Sequence, residues 1–68
     1  MLALHYLAEL LLEVSGVVSV DLEGEAPERL RVEFVSAITC SEVSAALELL
    51  WDFKVHQLGP SLLVYDEE

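Results

Sequence analysis

Basic side chains are nearly missing from this chain: Arg29, Arg31 and Lys54 stand against thirteen aspartates and glutamates, for a formal net charge of -10. Nucleic-acid backbones are held mainly through lysine and arginine, so the balance argues against direct binding of DNA or RNA, and an anionic membrane surface would repel the chain. Cysteine is reduced to Cys40, which excludes an internal disulfide and a cysteine-rich metal site. The three glycines form no phosphate-cradling loop. The longest apolar stretches are interrupted by His5, Glu9 and Glu13. Neither a membrane span nor a secretory signal fits such a pattern, and the expected location is cytoplasmic. A strand ahead of the first helical run is also missing, and this absence shapes the fold expectation below.

What is present is apolar. Hydrophobic residues make up 54% of the chain and mean hydropathy is +0.51, a composition that argues against disorder. With 68 residues the chain is one domain, 1–68, ending in the acidic tail 66–68. A domain this small buries only about 60% of its unfolded surface, and its core is marginal unless something supplements it.

Residues 1–14 carry a helix period, with Ser15-Gly16 as the stop. Leu4, Leu7, Leu11 and Val14 would face the domain, Met1, Ala8 and Leu12 one flank, Tyr6 and Leu10 the other. His5, Glu9 and Glu13 leave only a narrow wet stripe. In Val17–Glu23 the residues Val18, Val20 and Leu22 alternate with polar neighbours. In residues 29–36 Leu30, Val32 and Phe34 do the same, which predicts a hairpin with one buried face across the polar loop 24–28. Arg29 and Arg31 lie on its polar face opposite Asp21 and Glu23. A second helix spans residues 40–53, capped by Thr39 with Glu42 three residues on. Its expected core stripe is Val43, Ala46, Leu47 and Leu50, with Trp51 and Phe53 at the edges and Ser41, Ser44, Glu48 and Asp52 in water. Finally Lys54–Leu58 and Ser61–Tyr65 flank a tight Gly59-Pro60 turn. That turn sets Leu58 against Ser61, His56 against Leu63 and Val55 against Val64.

The succession from Leu7 to Leu58, through Gly16-Val17, Leu30-Arg31-Val32-Glu33 and Thr39-Cys40-Ser41-Glu42 to Lys54-Val55, resembles the heavy-metal-associated family and its ferredoxin-like relatives, including ACT regulatory domains. The family's opening strand and its metal-binding CxxC loop are both missing, so no metal ligand carries over. The resemblance implies an α+β fold in two layers, αββαββ: a circularly permuted ferredoxin-like arrangement. In it, a four-stranded antiparallel sheet is covered on one face by both helices, and the last strand is central, beside Lys54–Leu58.

Residues with chemistry are few. Cys40, in the first turn of a helix, is either a reactive thiol or a small buried hydrophobe. His5, Glu9 and Glu13 share helical spacing, either as metal ligands or as the solvated stripe. His56 on the outer sheet face would be a pH-sensitive interface group or incidental. No catalytic, cofactor or metal residue is assigned. Leu58, Leu63, Tyr65, Val17 and Val35 on the outer sheet face, with Leu12 of the first helix, are the expected interface.

Three functions follow in order. The first is a non-enzymatic regulatory or interaction module that pairs with itself, as a homodimer or larger. The second is an acidic, antitoxin-like inhibitor that blocks a basic site on a partner protein. The third is a small thiol- or metal-dependent protein using Cys40 or His5, Glu9 and Glu13.

Overall fold

Alternating apolar residues need a cover, and the chain supplies it by folding two helices onto one side of its strands. The computed structural model describes residues 4–24, 29–51 and 53–65. The expectations for Met1, the loop residues 25–28, Asp52 and the acidic tail 66–68 lie outside the described residues. In chain order the elements are α1 (Leu4–Leu11), β1 (Val17–Glu23), β2 (Arg29–Phe34), α2 (Ala37–Trp51), β3 (Lys54–Leu58) and β4 (Ser61–Tyr65). All strand pairs are antiparallel and the sheet order is β1-β2-β4-β3. The last strand is therefore central and beside Lys54–Leu58, as expected.

Leu30, Val32 and Phe34 of β2 and Leu62 and Val64 of β4 point to the helical side. There they form one core with Leu4, Leu7, Leu11, Cys40, Leu47 and Phe53. Two central strands carry the fully buried positions because the edge strands have only one neighbour each. The β3–β4 register pairs Leu58 with Ser61, His56 with Leu63 and Val55 with Val64, as the short turn dictates. Gly59 adopts φ 62, and with proline at the next position this is the mirror-image turn that matches strand twist.

Four local expectations are corrected. The first helix stops at Leu11, not at Val14. Glu13 and Val14 donate to the carbonyls of Leu10 and Leu11, tight i to i+3 turns that leave Val14 exposed. Second, β1 carries an irregularity between Val17 and Ser19. Val17 takes the inward place opposite Phe34 and packs against the core, while Val18 is 63% exposed. Leu22, at the end of this edge strand, is exposed as well.

The third correction concerns the cap. The Ser36 hydroxyl accepts from the Thr39 amide at 3.2 Å and α2 begins at Ala37, three residues ahead of the expected start. Fourth, the buried stripe of α2 is Cys40, Ser44 and Leu47. Leu50 is 70% exposed, and Phe53 is in the core beyond the helix end, its amide donating to the Leu47 carbonyl at 3.4 Å. A helix with apolar residues on every side gives the period little power to choose between stripes.

Candidate interaction surfaces

Strand alternation sends the odd residues of β2 and β4 and the even residues of β3 to the face away from the helices. The registers line these up in rows. Glu23, Arg29, Tyr65 and Lys54 form one row; Asp21, Arg31, Leu63 and His56 the next; Ser19, Glu33, Ser61 and Leu58 the third. Every lysine and arginine of the chain thus lies on the uncovered sheet face. Among the described residues the carboxylates of that face are Asp21, Glu23 and Glu33, all on the β1–β2 side.

Arg31 Nε donates to Glu23 Oε2 at 2.8 Å, a diagonal cross-strand pair. That hydrogen bond, followed by the charge of Glu23, raises the Arg31 pKa above its ordinary value. Ser61 Oγ donates to Glu33 Oε1 at 2.7 Å. The expected cross-strand pairing is made by Arg31, while Arg29 stands opposite Glu23 in the register, and Ser61 ties β4 to Glu33 of β2. The β4–β3 half offers Tyr65, Leu63 and Leu58 beside Lys54 and His56.

The opposite surface has another character. On α1, Tyr6 and Leu10 point away from the core, and Leu12 follows at the helix end with 61% exposure. On α2, Ile38 is 75%, Leu49 84% and Leu50 70% exposed, and Trp51 is exposed as well. Among the described residues the carboxylates of this layer are Glu9, Glu42 and Glu48, all exposed, with Glu13 in the turn after α1. No lysine or arginine accompanies them.

The expected interface residues are placed unevenly. Leu58, Val35 and Leu12 are exposed, Leu63 and Tyr65 half-buried on the open sheet face, and Val17 is turned into the fold by the bulge. Val35 lies past the end of β2, its amide bonded to the Gly16 carbonyl at 2.8 Å. Sequence reasoning missed Ile38 and Leu49, and took Leu50 for core. It also missed Gln57, which accepts from Ser41 Oγ at 3.1 Å and donates to the carbonyls of Ala37 at 3.3 Å and Gly59 at 3.0 Å. This side chain ties the Gly59-Pro60 turn to the start of α2, and its signal was a lone polar residue at an inward position of an edge strand.

Chemistry-bearing residues are not brought together. Cys40 is fully buried, and burial, followed by the charge of Glu33, raises its thiol pKa, so the reactive thiolate is disfavoured. Its place in the core is that of a small hydrophobe. His5 and Glu9 are exposed on α1, but the helix ends before Glu13 can continue their stripe. Among the described residues no group of three or more histidine, cysteine, aspartate or glutamate side chains is arranged to hold a metal ion. No described helix is long and apolar enough to cross a membrane.

No family model matches the chain, and neither a curated protein nor a solved structure matches it significantly.

Proposed function

We propose that this protein is a non-enzymatic interaction module that works by associating with itself, as a homodimer or a larger assembly. The observation that carries this reading is the apolar outer surface of the helical layer. Leu49, Ile38 and Leu50 are each exposed by 70% or more, in a chain whose core is small. At their fractional exposures the uncovered leucine, isoleucine and aromatic side chains of this layer leave several hundred Å² of apolar area in water. The largest apolar patch on an ordinary monomer is roughly 300–600 Å² and is often a functional surface. Covering it at about 25 cal/mol per Å² is a gross gain of several kcal/mol before association entropy is subtracted. The buried, protonated thiol of Cys40 supports a non-enzymatic reading over a thiol-dependent one. The test is sedimentation velocity. Wild type at low micromolar concentration runs as more than one chain per particle and Leu49→Lys runs smaller; a folded wild-type monomer at tens of micromolar overturns the proposal.

A second reading has its own observation. The described carboxylates of the helical layer have no cation among them, which gives the molecule one acidic side suited to occupying a basic site on another protein. In a pull-down from native extract, a basic protein held by wild type and released by Glu42→Gln with Glu48→Gln would favour it; retention indifferent to these changes would leave the carboxylates to solubility.

The ferredoxin-like resemblance belongs with these proposals. A sheet with its last strand central and its third strand at one edge is what the permuted αββαββ arrangement requires, and the observed order supports that relation. The reading is cytoplasmic, where a single free thiol is at home.

A further inference from the structure

We infer that successive copies associate head to tail, the open sheet face of one against the helical layer of the next; this rests on the self-association proposed above. Charge is distributed unevenly between the two faces. All three lysine and arginine side chains, with His56, lie on the sheet face beside Asp21, Glu23 and Glu33, whereas the described helical layer has the carboxylates Glu9, Glu42 and Glu48 with His5 as its one basic group. Pairing two helical layers about a twofold axis would bury those carboxylates against their own kind, with no arginine or lysine on either side to offset them. Pairing two sheet faces would leave Leu49, Ile38 and Leu50 in water. Stacking sheet on helices covers both surfaces at once. It sets the carboxylates of one copy over Arg29, Arg31 and Lys54 of the next, and lays Leu49 and Ile38 on Tyr65, Leu63 and Leu58. Such contacts are heterologous, so they close into a ring or propagate, and an open assembly keeps one free sheet face at one end and one free helical face at the other until closure. A standard interface covers roughly 800 Å² per partner, and the helical layer supplies several hundred Å² of apolar area toward that before its polar rim is counted.

Complementation by mixing tests the geometry. Leu63→Glu damages the sheet face, and Leu49→Lys damages the helical face by adding a cation that meets other cations. Because Leu63 is half-buried, Leu58→Glu at a 63% exposed position serves as a second sheet-face variant, and circular dichroism checks that each variant is folded. Each variant alone should sediment as a monomer. An equimolar mixture of a sheet-face and a helix-face variant should restore particles of two chains and no more, since a mixed pair joins its one intact sheet face to its one intact helical face and leaves only damaged faces outside. A Leu49→Lys protein that stays assembled alone means sheet-to-sheet pairing, and Leu63→Glu and Leu58→Glu proteins that stay assembled mean helix-to-helix pairing; either result overturns the inference. So does a mixture that remains monomeric. A monomeric wild type would instead remove self-association itself, a separate result.

Discussion

At the residue scale, individual positions show where the fold tolerates no alternative. Gly16 has φ 97, and a Cβ there would stand 3.0 Å from Thr39 Cγ2, whereas Gly59 has φ 62 with open space around it. Forcing an L side chain into left-handed backbone costs about 1–2 kcal/mol. Gly59→Ala should therefore lose about that much, and Gly16→Ala more, because its methyl also crowds α2. Chemical denaturation of the two variants reads the order, and equal losses would contradict it. Cys40 gives a pH prediction. Its folded pKa is raised above the ordinary 9.0 by burial first and by Glu33 second, so the native state holds the proton more tightly than the unfolded chain. Stability from this group is complete below the unfolded pKa and declines as pH rises toward the folded value. Unfolding free energy should fall above about pH 9 in wild type more steeply than in Cys40→Ala, and thiol reagents should label Cys40 quickly only in denaturant. Identical slopes, or fast labelling of the native protein, would contradict this account of the thiol.

At the element scale, what was legible in the sequence follows what determines each element. The β3–β4 hairpin was readable to the residue because a two-residue turn leaves one register. The alternation in β2 was readable because both of its neighbours are paired. β1 was not, since nothing in Val17-Val18 says which valine turns inward until the bulge fixes it. α2 was found, but its start and its buried stripe were not. The cap is Ser36, whose hydroxyl accepts from the Thr39 amide, and apolar residues on every side of α2 leave its period without the power to single out Cys40, Ser44 and Leu47 as the buried stripe. The interface candidates inherited these errors: Val17 fell with the bulge, and Ile38 and Leu49 were overlooked with the helix phase. Two substitutions test the observed elements. Ser36→Ala removes the hydroxyl that accepts from the Thr39 amide and should cost roughly 1 kcal/mol, while Thr39→Val, which keeps that amide, should cost less. Gln57→Ala removes the link between the turn and α2; faster amide exchange in residues 57–61 and the first turn of α2, with the centre of β2 unchanged, is the expected result. Uniform loss of protection would show that the link has no local role.

At the scale of the whole molecule, the two surfaces divide the work that a small core cannot do alone. The sheet face gathers every lysine and arginine, the helical layer keeps exposed leucines beside carboxylates, and the fold holds them on opposite sides of one four-stranded sheet. A chain of 68 residues has little stability to spare, so covering such a surface with a second copy should appear in the folding equilibrium itself. The most direct measurement is the thermal midpoint of the intact chain across a hundredfold range of protein concentration. Association that stabilises only the folded form makes the midpoint depend on concentration, and dilution should lower it by several degrees. A midpoint that stays fixed over that range would contradict the account.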